Sequence, residues 1–223
     1  MRVTNFKLAI GLPLVSNQVH TAFLDSWVLL EKPDYVYIRP DFPCAIAAAR
    51  NGIVEQALSA ACTHIIMMDT DQSYPPDTIT KLLAHNLPAV AAKVHRRYPP
   101  FDPILFRWDE AAGLHYLLGD EEWYGKDIIK VDATGGGCFL CESKVYMDIE
   151  PPWFEVKELV TKQREIKTVG EDVGFWMKVK EAGYKLVVDL SIPITHMGTL
   201  EIDEKVYFLN KKLKTLQKKD GGT

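Results

Sequence analysis

Residues 64–71 read H-I-I-M-M-D-T-D, an apolar run that ends in two aspartates one residue apart. An unbroken apolar run of this length predicts a strand that is covered on both faces, as in α/β proteins. Ligands of such sheets bind at the carboxyl ends of the strands, so Asp69 and Asp71 are expected to face a crevice. Two carboxylates this close repel each other unless a cation or protons stabilise them, and a divalent cation shared with substrate phosphates would do so. The alternative is a pair of solvated, helix-capping acids in an ordinary strand-to-helix loop.

The segments on either side of this run predict an α/β protein, because short apolar runs alternate with helical patterns. Strands are expected at residues 6–12, 35–38, 64–68 and 87–94, and helices at 21–31, 43–61 and 75–85. The texture changes after Pro99-Pro100, where short strands are expected at 104–108, 114–118, 128–131 and 138–141. A helix over 171–182, a strand over 184–188 and an amphipathic helical tail over 206–219 follow.

Composition and charge limit the class of protein. The chain has 223 residues, of which 47% are hydrophobic and 25% charged, as in a globular protein with a large core. No stretch approaches the ~18 uncharged apolar residues of a membrane span, and no signal peptide is recognisable, so a cytoplasmic location is expected. A net charge of −4 argues against a nucleic-acid partner. The four cysteines are too sparse for a disulfide scaffold, and Cys138 and Cys141 are expected to be buried thiols.

Two further groups fall where they could join the aspartates. Gly170-Glu171-Asp172 begins a predicted helix, where the helix dipole alone favours acids, and where a carboxylate beside a metal could act as a general base. His196 follows the predicted strand 184–188. Its neutral imidazole could complete a metal site begun by Asp71, or it could be an ordinary structural histidine.

Together these motifs resemble a GT-A-fold glycosyltransferase of the family 2 type. The most specific part is G-E-D-V-G-F-W-M-K-V-K-E-A-G-Y-K-L-V-V-D-L-S-I-P-I-T-H at 170–196, and the resemblance extends from the first strand to about Gly198. Also matching are Ala49-Arg50-Asn51, Gly135-Gly136-Gly137, Arg96-Arg97 with Pro99-Pro100, and Pro152-Trp153-Phe154.

The fold that this resemblance implies is α/β, with a Rossmann-like mixed central sheet flanked by helices and a smaller acceptor-side sheet region. It implies a single domain over residues 1–223. A nucleotide-sugar-binding half would extend to about residue 97 and an acceptor-binding half from about 98 to 205. A C-terminal helix and Lys-rich tail over 206–223 would complete the domain.

The resemblance also implies a role for each matching residue. Asp71 would contact Mn²⁺ or Mg²⁺, His196 would be the C-terminal metal ligand, and Asp69, nearer the ribose, would assist. Asp172 would be the base that deprotonates the acceptor hydroxyl. The donor, a UDP- or GDP-linked sugar, would be bound by Pro13, Val15, Asp41, Arg50, Asp69, Thr70 and Asp71. Asp41 is also a second candidate for the base, and the acceptor side would include Gly136, Trp153, Glu171 and Arg96.

The implied activity is metal-dependent transfer of a single sugar to a glycan, lipid-linked or small-molecule acceptor. Retaining enzymes of this fold share the D-x-D and the histidine, so the prediction of inversion rests on Asp172 alone. No Q-x-x-R-W motif follows His196, which argues against a processive synthase, and the first strand ends G-L-P-L-V-S-N rather than in the commoner Pro-x-Tyr/Phe-Asn form. His95-Arg96-Arg97 could meet phosphate or acceptor charge.

Other interpretations stay open. Asp69-Thr70-Asp71 also fits a haloacid-dehalogenase-type phosphatase, although that class carries its motif on the first strand. A non-catalytic nucleotide- or glycan-binding module is a further alternative. The tail holds five lysines in 211–223 and could touch an anionic membrane surface, or it could pack the apolar stripe Val206, Leu209, Leu213 and Leu216 on the body. The sequence does not predict the oligomeric state.

Overall fold

The computed structural model describes residues 6–199 and 203–220, the last eight of these as helix backbone only. In the described chain the strands are β1 Leu8–Gly11, β2 Tyr35–Ile38, β3 His64–Met68, β4 Gln72–Ser73, β5 Ala89–Ala92, β6 Leu105–Asp109, β7 Leu114–Leu117, β8 Ile128–Val131, β9 Ala133–Thr134, β10 Cys138–Glu142, β11 Lys157–Val160, β12 Ile166–Val169, β13 Leu186–Asp189 and β14 Thr195–His196. The helices are α1 Thr21–Leu29, α2 Ile46–Ser59, α3 Thr78–Ala84, α4 Asp120–Trp123, α5 Ser143–Met147, α6 Glu171–Glu181 and α7 Glu204–Asp220.

A seven-stranded mixed sheet forms the centre of the fold, in the order β2-β1-β3-β10-β5-β13-β8. Strands β2, β1 and β3 run parallel, and β13 runs parallel to β5. Strand β10 lies antiparallel between β3 and β5, and β8 is antiparallel to β13. The predicted mixed central sheet flanked by helices is therefore confirmed. Because β10, β13 and β8 come from beyond residue 97, both halves of the chain share this sheet.

The central strand β3 is covered on both faces, as its apolar run predicts. Ile65 and Met67 pack on one face with helices α2 and α6, and Ile66 and Met68 pack on the other with α1 and α3. All four are fully buried. Burial of this strand fixes where Asp69 leaves the sheet.

The smaller sheets come from short segments after residue 97 and from two-residue strands. β7-β6-β9 form a three-stranded sheet, and β11 and β12 form a hairpin. Strand β4 pairs with β14. The sequence pattern predicts no strand at residues 72–73, only a helix over 75–85. That pairing joins segments more than 100 residues apart, so local patterns do not reveal it. Helix α3 accordingly begins at Thr78, with Asp77 as its N-cap residue.

Of the apolar stripe that could pack on the body, Val206 is half-buried and Leu209 is exposed. Leu209 is 58% exposed, and Tyr207 and Phe208 are also exposed, so Leu209 is not packed on the body. Leu213 and Leu216 lie outside the described side chains. Within residues 6–199 and 203–220, no helix is both long and apolar enough to cross a bilayer. Cys138 and Cys141 are buried and free, and burial raises the pKa of both thiols.

Candidate functional site

A cleft opens at the carboxyl ends of β1 and β3, as expected for an open α/β sheet. Its larger part, about 760 Å³, is lined by the loop after β1, the start of α2 and residues 69–71. Its smaller part, about 360 Å³, is lined by Arg50, Gly135 to Gly137 and the start of α6. Ile46, Asp69, Asp71 and Arg97 line both parts, so the two form one continuous cleft.

The carboxylate of Asp69 is held by the buried Arg50. Arg50 is only 3% exposed, and its Nη2 donates to both carboxylate oxygens of Asp69, at 2.9 and 3.1 Å. The same nitrogen donates to the carbonyl of Gly136 at 3.0 Å, and Nη1 donates to Glu171. Burial raises the pKa of Asp69 more than the charge of Arg50 lowers it, and burial raises the pKa of Glu171 in the same way. Arg50 thus ties the aspartate pair to the first turn of α6.

The position of Arg50 follows from the periodicity of α2. Ile46, Arg50 and Ile53 share one helix face, and Ile53 is buried against the sheet. The resemblance implies that Arg50 lies near the nucleotide. The structure places Arg50 beside Asp69, where it lines the smaller part of the cleft. Gly136 permits this approach, because a Cβ there would lie 2.4 Å from Nη1 of Arg50.

Asp71 meets His196 on the other side of the cleft. The β4–β14 pairing sets Gln72 opposite His196, and the amide of Met197 donates to the carbonyl of Asp71 at 2.8 Å. These backbone contacts place Nε2 of His196 3.3 Å from Oδ2 of Asp71. The same Oδ2 accepts a hydrogen bond from Nη1 of Arg97 at 2.9 Å.

The orientation of the imidazole bears on metal binding. Nδ1 of His196 lies 2.7 Å from the carbonyl of His95, which can only accept, so Nδ1 carries a proton. A neutral ring would then point the lone pair of Nε2 at Oδ2 of Asp71, a contact that requires a proton or a cation. Burial lowers the pKa of His196, but the hydrogen bonds to Asp71 and His95 outweigh it, and the pKa is raised. Burial raises the pKa of Asp71, and contacts with His196 and Arg97 outweigh that effect and lower it.

Asp71 and His196 therefore form a pair that a divalent cation would fit. Among the residues that the structure describes, no group of three or more His, Cys, Asp or Glu side chains is arranged to hold a metal ion. Asp69, a predicted metal ligand, instead directs both oxygens at Arg50. Mg²⁺ is often held by one or two carboxylates together with substrate phosphates, and here Asp71 supplies one carboxylate and His196 an imidazole.

Asp172 reaches the cleft from a third element, the first turn of α6. Its Oδ2 accepts a hydrogen bond from the amide of Gly136 at 3.2 Å, and Oδ1 accepts one from the amide of Val173 at 2.8 Å. The carboxylate lines the smaller part of the cleft beside Glu171. A carboxylate held in this way can accept a proton from a group bound in that part.

The remaining candidates divide by position. Pro13, Val15 and Thr70 line the larger part of the cleft, and Arg96 and Gly136 line the smaller part. Asp41 is exposed in the loop after β2 and lines neither part. Trp153 lies outside the cleft because its ring is buried in the core.

The burial of Trp153 is anchored by its indole, which donates to the carbonyl of Tyr146 at 2.8 Å. Two further residues at the site, Tyr74 and Gln72, belong to no motif that the sequence predicts to be functional. The hydroxyl of Tyr74 lies 2.7 Å from the carbonyl of Asp69, and a Cβ at Gly137 would collide with the Gln72 amide. The three consecutive glycines were the available signal for this close packing.

Comparisons with known proteins identify the fold. No protein-family model matches the chain, and no curated protein matches it. The solved structure of A197 from STIV matches over 89% of this chain and 87% of that chain, with a TM-score of 0.57 and 16% identity. The structure of GalNAc-T7 with UDP, GalNAc and Mn²⁺ matches over 88% of this chain and 44% of that chain, with a TM-score of 0.57 and 14% identity. The fold is thus similar to that of GT-A glycosyltransferases, and the chain spans less than half of GalNAc-T7.

Proposed function

We propose that this chain is a metal-dependent glycosyltransferase that moves one sugar from a UDP- or GDP-sugar to an acceptor hydroxyl with inversion. The observation that carries the proposal is the meeting of Asp71 and His196 at 3.3 Å in a cleft that also holds the Asp172 carboxylate. Three separate elements supply these groups, in a fold similar to that of GT-A glycosyltransferases.

The two parts of the cleft suit two substrates. The larger part, about 760 Å³, falls in the range of small-molecule sites and would take the nucleotide-sugar. Asp71 and His196 would hold Mn²⁺ or Mg²⁺ at the junction. When bound, the cation would neutralise the diphosphate leaving group. The smaller part would take the acceptor, whether a glycan, a lipid-linked sugar or a small molecule.

Asp172 is the proposed catalytic base. Its carboxylate takes the proton of the acceptor hydroxyl as the oxygen attacks the anomeric carbon. The bond from that carbon to the diphosphate breaks, and the diphosphate leaves with the electron pair, through an oxocarbenium-like state as in glycoside hydrolysis. The amides of Gly136 and Val173 fix the orientation of the carboxylate.

The geometry favours this activity over the phosphatase alternative. A D-x-D phosphatase needs an aspartate that is free to attack phosphorus. Both oxygens of Asp69 accept hydrogen bonds from Arg50, and Asp71 is held by Arg97 and His196. A non-catalytic binding module would have the same cleft. Catalytic turnover of a nucleotide-sugar is therefore the observation that distinguishes an enzyme from such a module.

Calorimetry with UDP and GDP, with and without Mn²⁺, tests the donor site, and a panel of nucleotide-sugars then tests transfer. Asp172→Asn should keep metal-dependent nucleotide binding and lose transfer by roughly 10²- to 10⁴-fold, the usual contribution of a general base. Asp41→Asn, the matched control outside the cleft, should keep transfer. Absence of nucleoside diphosphate binding would contradict the donor site. Transfer that survives Asp172→Asn would contradict the base assignment.

The proposed partners follow from the activity: a nucleotide-sugar, an acceptor and no nucleic acid. Contact of the Lys-rich tail with a membrane surface and a cytoplasmic location both stay predictions. The exposed Tyr207, Phe208 and Leu209 on α7 are compatible with such a surface contact.

A further inference from the structure

Arg97 lies at the junction of the two parts of the cleft, and the sequence predicts only that His95-Arg96-Arg97 could meet phosphate or acceptor charge. Its side chain is 57% exposed and lines both parts. Its Nη1 lies 2.9 Å from Oδ2 of Asp71, the same oxygen that faces Nε2 of His196 at 3.3 Å. A guanidinium charge therefore occupies the position beside Asp71 where a divalent cation would bind.

The backbone of Arg97 is anchored, although its side chain is exposed. The carbonyl of His95 accepts from Nδ1 of His196, and the amide of Arg96 donates to the carbonyl of Asp102 at 2.9 Å. Gly198 packs on the carbonyl of Arg97, where an added Cβ would lie 2.5 Å from the oxygen. The guanidinium can thus change partner while the main chain stays in place.

Electrostatics makes the arginine and a metal ion competitors for Asp71. Two cations on one carboxylate oxygen repel each other, and a divalent ion has the stronger attraction for that oxygen. Asp69 offers no second carboxylate, because both of its oxygens accept hydrogen bonds from Arg50. A displaced Arg97 would need another anion, and a diphosphate in the adjoining larger part of the cleft offers oxygens in the geometry that a guanidinium binds.

We propose that Arg97 holds Asp71 while the donor site is empty and transfers to the diphosphate of a nucleoside diphosphate when metal and donor bind. This inference rests on the proposed function. Arg97 is then both a competitor of the free metal and a ligand of the donor, two effects of opposite sign on binding.

The opposite signs give the test. Free Mn²⁺ is measured by electron paramagnetic resonance during titration of the full chain without nucleotide, and UDP and GDP binding is measured by calorimetry at saturating Mn²⁺. Arg97→Gln should bind Mn²⁺ alone roughly fivefold more tightly, as expected when one partly exposed charge pair is removed. The same variant should bind the nucleoside diphosphate roughly tenfold less tightly, as expected when one charge-assisted hydrogen bond is lost.

Arg96→Gln removes the same charge one residue away and is the matched control. Arg96 lines only the smaller part of the cleft and faces Asp102 at 4.0 Å, so this variant should leave Mn²⁺ affinity unchanged. If Arg97→Gln moves both affinities in the same direction, or leaves Mn²⁺ affinity unchanged, the exchange of partners is overturned while the proposed function stands. If the unaltered protein binds neither Mn²⁺ nor a nucleoside diphosphate, the proposed function itself fails.

Discussion

Asp69 and Asp71, which have one residue between them, are held by two arginines that differ in their exposure to solvent. Arg50 is 3% exposed and bonds to Asp69, Glu171 and Gly136 together. Arg97 is 57% exposed and bonds to Asp71. The same short motif thus contains Asp69, which the buried Arg50 holds in place, and Asp71, whose exposed partner Arg97 can exchange. The burial of each arginine decides which behaviour its aspartate has.

Burial explains the difference. Burying a guanidinium and most of two carboxylates is costly, and the Arg50 cluster offsets that cost only while every partner is present. The Arg97–Asp71 pair remains partly hydrated, so water can replace either partner at little cost. The Arg50 anchor, Arg50 with Asp69 and Glu171, should therefore determine the stability of the fold. The exchangeable pair, Arg97 with Asp71, should determine the affinity for ligands.

The largest effect is expected when the buried arginine is removed. Arg50→Met leaves Asp69 and Glu171 close together without a counter-ion, and should lower the free energy of unfolding by about 3 kcal/mol, measured by urea denaturation. Arg97→Gln, the exposed counterpart, should change it by no more than about 0.5 kcal/mol. Equal effects of the two substitutions would contradict the distinction between anchor and exchangeable pair.

The glycine that accommodates the anchor offers a second, smaller effect. Gly136→Ala would set a Cβ 2.4 Å from the guanidinium of the buried Arg50, and overpacking of this kind should destabilise the protein by about 2 kcal/mol. Gly52→Ala, in helix α2, meets no atom within 4 Å and should stabilise by up to about 1 kcal/mol. Thermal denaturation of the pair measures both. If Gly136→Ala left the stability unchanged, the Arg50 side chain would be able to move aside, and it would not be a fixed anchor.

The sequence predicted the parts of the fold that rest on local pattern. The apolar run 64–68 fixed the central strand, and the acids at 171 and 172 marked the start of α6 correctly. The neighbours of β10 could not be predicted, because Cys138 to Cys141 is equally apolar whichever strands flank it. Likewise β4 and β14 have two residues each, and only their contact across more than 100 residues makes them strands.

The same limit applies to the site. The motifs named Asp71, Asp172 and His196, which the structure brings to one cleft. They did not show that Arg50 is buried, although its position between Ile46 and Ile53 on the buried face of α2 was an available signal. Trp153 was named for its residue type, and its ring is in the core. Side-chain type predicts chemistry, whereas burial depends on the partners that the whole fold supplies.

The smallest effect is expected at Asp71, where the pair with His196 should make the free energy of unfolding depend on pH. The pKa of His196 is raised from 6.5, so its contribution is complete below that value and is lost as pH rises through the folded pKa. The pKa of Asp71 is lowered from 3.8, so its contribution is present above that value and is lost as pH falls. In a chelating buffer, the stability lost in His196→Gln should be greatest near pH ~5, at up to about 1 kcal/mol, and should shrink towards pH ~8.

Urea denaturation of the single variants His196→Gln and Asp71→Asn and of the double variant separates this pair from its surroundings. Because each single substitution removes the same ion pair, the double variant should lose less stability than the sum of the two at pH ~5. At higher pH, once His196 has lost its proton, the losses should approach additivity. A coupling that stays constant over this pH range would contradict an ion pair that is lost when His196 gives up its proton.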